Sequence, residues 1–401
     1  MVKIYHYFIW AFALLLLSCC QPFDKREVRK PADALTKVTY FWPEFHDDMD
    51  VDSLVLAMKR SLEYYNRLDQ NAIFRFGPDK FTASHIMKSM RTFQELIQTN
   101  PDIKTLNREL REKFLLYKSA GSRKEGKVLF TGYYEPIVEG SLTCNSQYRH
   151  PLYKKPNDLL SIDLGLFRSR YNGERIMARM EGKSLIPYFT RGEIVHEKNL
   201  EGKDLEIAWL RDALDLAVLQ IQGSGRVLLP NGDTLRVGYC ATNGHPYKSI
   251  GRYMIEQGYI ENEALSLQAI RSFLHKHPDM KEEILNVNPS YIFFQLLDNE
   301  GPLGNISVPL TPGRSIALDD RLLPKGALVY IRCRKPILGK DGNILKWVPF
   351  SRFLVNQDTG GVIKGTGRAD VFWGSSSYAE TAAGHLKERG DLYFLVLKPD
   401  Y

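Results

Sequence analysis

From Asn288 to the C-terminus the chain is a succession of short apolar runs separated by Gly and Pro turns, and this rhythm limits its fold more than any other feature. Strands are predicted at 290–296, near Val308, and at 315–318, 327–333, 345–355 and 391–397, with turns at Pro312-Gly313, Lys325-Gly326 and Asp341-Gly342. One short helix is predicted between Tyr378 and Glu388. Without regular strand–helix–strand alternation, the pattern argues against a doubly wound sheet and for a barrel.

Upstream, three stretches carry helical periodicity: Leu54, Met58, Leu62 and Tyr65; Ile86, Met90, Phe93 and Ile97 behind Thr82 as a cap; and Ile103, Leu106, Leu110, Phe114 and Tyr117 behind Pro101. These stripes are core faces, with no chemistry assigned. The region 137–287 reads mostly as strands and loops, with helices near 250–256 and 265–276. Its clearest element is a hairpin turning at Asn231-Gly232, whose first strand is predicted to run from Leu219. On that strand Gln220, Gln222 and Ser224 share one face, which suits the hydroxyl and acetamido groups of a glycan better than a core.

The N-terminus has Lys3, ten apolar residues from Phe8 to Leu17, then Ser18, Cys19 and Cys20. Ten residues are too few to span a bilayer and match the apolar stretch of an export signal. Leu16-Leu17-Ser18-Cys19 resembles a bacterial lipoprotein signal, with lipid carried on Cys19; a plain secretory signal or an uncleaved anchor is the alternative. Residues 1–18 are thus the expected signal peptide and 19–35 a tether. The other cysteines, Cys20, Cys144, Cys240 and Cys333, lack metal-ligand spacing. An exported Cys144 and Cys240 form either a disulfide or free thiols. The net charge of +7 is spread without a block of like charge, which argues against a nucleic-acid tail.

Chemistry concentrates in residues 356–374, N-Q-D-T-G-G-V-I-K-G-T-G-R-A-D-V-F-W-G. Asp370 sits between Ala369 and Val371, with Phe372 and Trp373 following, and apolar surroundings raise a carboxyl pKa. Asp358 stands in Asp-Thr-Gly-Gly, which is also ordinary turn chemistry. Lys364 and Arg368 are candidate partners for substrate carboxylates. Tyr133 and Tyr134 are candidate sugar-stacking rings, Glu135 a candidate second carboxylate, and Asn243 a candidate glycan contact; alternatively, Tyr133 and Tyr134 simply alternate along a strand. His245 is either a site residue or a loop surface residue. No metal site or cofactor motif is found, and the chain lacks a P-loop, G-x-S-x-G and H-E-x-x-H.

Taken in order, F-T-G-Y-Y-E-P, Q-I-Q-G-S-G-R, N-G-H-P-Y, N-P-S-Y-I-F-F, G-P-L-G, P-L-T-P-G-R-S-I-A-L-D and the 356–374 segment resemble the membrane-bound lytic murein transglycosylase A family from Phe130 to Leu397. The last third also resembles the 3D domain, named for three aspartates that fall on Asp319, Asp358 and Asp370. The resemblance implies a mainly β protein: a double-psi β-barrel from 36–136 and 288–401, a second β-domain inserted at 137–287, N-terminal helices, and a glycan groove at the junction. It carries the catalytic general acid/base onto Asp370 and a supporting role onto Asp358, with Asp319 structural; beside them Tyr133, Tyr134, Glu135, Gln220, Gln222, Ser224, Gly225, Asn243, Lys364 and Arg368 are the candidates for substrate contact. It implies cleavage of peptidoglycan strands with 1,6-anhydromuramoyl ends, at the periplasmic face of a Gram-negative outer membrane through a lipid anchor, without cofactor or nucleic acid, and with cell-wall synthesis complexes as candidate partners. A hydrolytic β-1,4-glycanase using Glu135 or Asp358 as base, and an expansin-like wall-binding module, are the alternatives.

Overall fold

The computed structural model describes residues 28–298 and 301–401. The export segment, Cys19 and most of the tether lie outside the described residues. Among those described, no helix is long and apolar enough to cross a membrane.

Six strands close a barrel. They are β1 (Val128–Tyr133), β2 (Ser315–Ala317), β3 (Leu328–Leu338), β4 (Ile344–Asp358), β5 (Arg368–Phe372) and β6 (Glu388–Leu397). The order around the wall is β1-β5-β2-β4-β3-β6, and β6 returns to β1 through Glu388 to Gly390 against Phe130 to Val128. The β1–β5 and β2–β4 pairs are parallel and the remaining pairs antiparallel. Closure removes the exposed strand edges that invite association. The long β3–β4 ladder contributes Val329, Ile331, Phe353, Leu354 and Val355 to a core shared with Phe394 and Val396 of β6.

Helices Val51–Asn66 and Ala83–Gln98 cover the barrel as their periodicity predicted. Asp50 and Thr82 cap them by accepting from the amides of Ser53 and His85. Phe93 reaches within 4.9 Å of Phe353 between ring centres, joining helix to β4; full burial of such a ring stabilises by about 1.5–3 kcal/mol. The third predicted helix is shorter, Ile103–Lys113. Phe114 and Tyr117 instead enter the strand Phe114–Ser119, which pairs with the free length of β6. An available ladder has overridden the local period there, as sheet context often does.

The strands between Ile137 and Leu296 form two other sheets. The larger has the order Ile292–Leu296, Thr234–Thr242, Ser224–Leu228, Ile137–Ser141, Glu206–Leu210, His150–Tyr153. The strand Ile292–Leu296, expected among the C-terminal strands, pairs here with Thr234–Thr242, so this sheet reaches past residue 287. The smaller sheet joins Leu160–Asp163, Arg175–Glu181 and Ser184–Pro187.

The main departure from expectation is the helix Ala213–Gln222, whose last residues, from Leu219, were predicted to open a strand. Leu214, Ala217 and Val218 face the barrel core, whereas Leu216 and Leu219 face the core of the six-stranded sheet. A helix buried on two sides is apolar nearly all round, and its 3.6-residue period disappears from the sequence. Asp212 caps its start, and Gly223 ends it at φ +77°, a left-handed conformation suited to glycine. Gln220 and Gln222 therefore lie on a helix, and the hairpin strand begins at Ser224.

Candidate active site

Across the barrel wall, Ala317 of β2 is register partner to Asp370 on β5 and to Asp358 on β4, and Asp370 in turn pairs with Thr131 on β1. Directly paired residues share a face. Asp358, Ala317, Asp370 and Thr131 thus form one row, in which two ladder steps, about 9–10 Å, separate the backbones of the aspartates. Only a methyl side chain stands between them.

A β-bulge beside Asp358 makes this alignment. On β2 the neighbours Ile316 and Ala317 pair with Asn356 and Asp358, leaving Gln357 as the extra residue. Gln357 is fully buried and bonds Ser315, the Ala57 carbonyl and Ser61. The amide is thereby satisfied in the core, and Asp358 is brought level with Asp370.

The two carboxyls are held differently. Asp370 accepts one hydrogen bond, 2.7 Å from the Thr131 hydroxyl. Asp358 accepts three: from the Tyr133 hydroxyl at 2.8 Å, the Thr359 amide at 2.9 Å and the Asn305 amide at 3.1 Å. Burial lifts both pKa values to about 6. At Asp370 the Thr131 bond and the Arg368 charge oppose this rise, and the charge of Asp358 adds to it. Burial and the adjacent Asp358 keep the Tyr133 phenol protonated, so it remains a donor. Its neighbour Gly132 allows close packing on the opposite face, where a Cβ would lie 2.7 Å from the Trp373 ring.

Both aspartates line a cleft of about 1090 Å³, above the usual range for a small-molecule pocket and suited to a polymer segment. Of the residues singled out from sequence, Tyr133, Gln220, Gln222, Ser224, Arg368 and His245 line it with them. Tyr134, Glu135, Gly225, Asn243 and Lys364 do not. Tyr134 is packed in the core, while Glu135 is buried and pairs with Arg226 at 2.8 Å. Gly225 is covered by Leu219 and Pro136. Asn243 is buried, bonding the carbonyls of Phe189 and Pro289 and the Tyr291 amide. Lys364 opens on a separate cavity beside Ser122 and Arg123.

The lining also includes residues that the sequence did not single out. Thr131 lies two positions before Tyr133, and strand alternation on F-T-G-Y-Y would have found it. Tyr239 and Tyr247, 51% and 41% exposed, offer aromatic faces on the opposite wall. Arg191 and Asn305 belong to no motif. Asp319 sits off the cleft, in an ion pair with Arg321 and bonded by the Gly365 amide, which support a structural role. Among the described residues Cys144, Cys240 and Cys333 are unpaired thiols. Among the described residues no group of three His, Cys, Asp or Glu is arranged to hold a metal ion.

Comparison with known proteins sets this cleft in context. The family profile described as the MltA specific insert domain matches residues 129–295, and that of the 3D domain matches 314–396. Membrane-bound lytic murein transglycosylase A of Vibrio cholerae is 31% identical over 282 residues, covering 69% of this chain and 68% of the relative. Two crystal structures share the fold at a TM-score of 0.69. One, a membrane-bound lytic murein transglycosylase from Agrobacterium tumefaciens, is 28% identical, covering 87% of this chain and 93% of its own. The other, MltA from Neisseria gonorrhoeae, is 27% identical, covering 94% and 98%. By sequence and fold alike, the chain belongs to the membrane-bound lytic murein transglycosylase A family.

Proposed function

We propose that this protein is a lytic transglycosylase that cuts the β-1,4 bond between N-acetylmuramic acid and N-acetylglucosamine in peptidoglycan and leaves 1,6-anhydromuramoyl ends. The observation that carries the mechanism is the asymmetry of the aspartate pair: Asp358 is fixed by three donors, whereas Asp370 has one. Asp370, with a pKa of about 6, is substantially protonated in mildly acidic surroundings and serves as general acid. It gives its proton to the glycosidic oxygen as the bond to C1 breaks, and N-acetylglucosamine departs with a free 4-hydroxyl. The resulting carboxylate then takes the proton of the muramoyl C6 hydroxyl as O6 bonds to C1. Protons balance and no water is consumed. The nucleophile belongs to the substrate, which gives it a high effective molarity.

In this reading the scissile bond lies over Ala317, where the small side chain leaves space between the acids. Asp358 is a positioning residue that holds the Tyr133 phenol and supports the charge state of Asp370. The barrel is of the double-psi type, and the sheets between Ile137 and Leu296 form an inserted unit whose wall, with Tyr239, Tyr247, Gln222 and Ser224, cradles the glycan. The chain is tethered to the periplasmic face of the outer membrane by lipid on Cys19 and acts beside wall-synthesis enzymes.

Mass spectrometry of material released from purified sacculi tests the reaction. Anhydro ends are expected. Reducing ends would show a hydrolase, in which a second carboxylate activates water. Binding without release would show a wall-binding module.

A further inference from the structure

Arg191 is 3% exposed, yet no carboxylate pairs with it among the described residues. Its guanidinium bonds the Gln220 side-chain carbonyl and lies 5.4 Å from the centre of the Tyr291 ring, and its Nε is buried without a hydrogen-bond partner. Burial pushes its pKa down to about 10, so it remains charged near neutrality. A buried, uncompensated cation is costly in a folded protein, and such groups are ordinarily paired. Arg191 is also part of the cleft lining.

A second arginine stands on the barrel side. Arg368 is half-buried and lines the same cleft, its Nε is buried without a partner among the described residues, and its charge acts on Asp370. Tyr247 lines the cleft together with both arginines, and their charges oppose the rise that burial imposes on its phenol. Spare guanidinium donors on both walls are what a planar, bidentate acid would satisfy.

We propose that Arg191, with Arg368 opposite, forms a carboxylate-binding subsite that recognises the acidic substituent of the muramoyl residue. The inference rests on the peptidoglycan reading above and names the group that the cleft selects. That carboxylate has two sources: the lactyl ether of a peptide-free strand, or the stem peptide of a substituted one.

The test measures binding to full-length Asp370→Asn protein, which lacks the proposed general acid and is expected to cut its ligand too slowly to disturb the measurement. The probes are peptide-free and peptide-bearing glycan strands, each before and after carbodiimide amidation of its carboxylates, with a neutral chito-oligosaccharide as reference. Amidation is expected to weaken binding tenfold or more on at least one strand type, down to the affinity of the neutral reference. Loss on the peptide-free strand assigns the lactyl group; loss only on the peptide-bearing strand assigns the stem peptide. In Arg191→Met on the same background, carboxylated and amidated strands should bind alike.

Equal binding of both forms to protein that retains Arg191 overturns the proposal, and this arm is unaffected if Arg191→Met fails to fold. Discrimination that survives in folded Arg191→Met also overturns it. The product ends released by the wild-type protein are read separately. A missing anhydro end therefore defeats the reaction, while amidation-sensitive binding still supports the subsite.

Discussion

The two ends of the row Asp358–Ala317–Asp370–Thr131 are built from the same barrel wall and treated differently. At the Asp358 end, a bulge, two backbone amides and a buried phenol converge on one carboxylate. At the Asp370 end there is a single threonine hydroxyl, and an arginine acts at a distance. Both acids are shifted to about pKa 6 by burial, so the shift alone does not distinguish them. The count of donors does. A group that must change protonation during a reaction is lightly held, and a group that must stay in place is held from several sides.

Replacing each end separately is the strongest way to break this contrast. Asp370→Asn should lower turnover on sacculi by about 10²–10⁴-fold, the range for loss of a general acid–base group, while circular dichroism reports a folded protein. Wild-type activity in that variant would refute the assignment. Tyr133→Phe removes one hydrogen bond to a charged group, which is worth about 1.5–3 kcal/mol, and should lower turnover by about 10–100-fold. An effect as large as that of Asp370→Asn would mean that the two ends act as equals.

The pH profile sharpens the contrast further. Turnover should fall as pH rises through about 6, because the acid must be protonated; the two carboxyls titrate as a coupled pair. Thr131→Val removes a bond that favours the carboxylate, so this falling limb should move to higher pH. Asp358→Asn removes a like charge and should move it lower. Initial rates on solubilised strands over pH 4–8, roughly the span that brackets both carboxyls, would show either sign reversed.

The smallest expected effect is on stability. A carboxyl whose folded pKa is raised contributes stability that is full below the unfolded value, near 3.8, and lost as pH rises through about 6. Asp370→Asn should therefore melt at a higher temperature than wild type at pH 8, with the difference vanishing toward pH 4. Thermal scans at the two pH values would make the comparison.

Much of the barrel was legible because its strands are apolar runs bounded by turns, as at 327–333 and 345–355, which fall on the longer β3 and β4. The acids were legible because Gly-rich chemistry frames them. The opposite wall was harder to read. Gln220 was found for the wrong reason, since the helix beneath it is buried on two sides and its period is hidden. Tyr134, Glu135 and Asn243 have the residue types of a sugar site, but the Tyr134 ring packs in the core and the polar groups of Glu135 and Asn243 serve contacts within the fold. Arg191 gave no signal, because its position depends on the meeting of Gln220 and Tyr291, distant in sequence.

The pairing of β1 with β5 has a consequence for when activity can arise. Thr131 and Asp370 are 239 positions apart, and β6, which seals the barrel against β1, follows both in the chain. Contacts of such long range form late, since the chain between them must first be ordered. A chain made from its N-terminus has Thr131 long before Asp370 exists. The two acids and the threonine therefore become one site only when β5 has paired with β1.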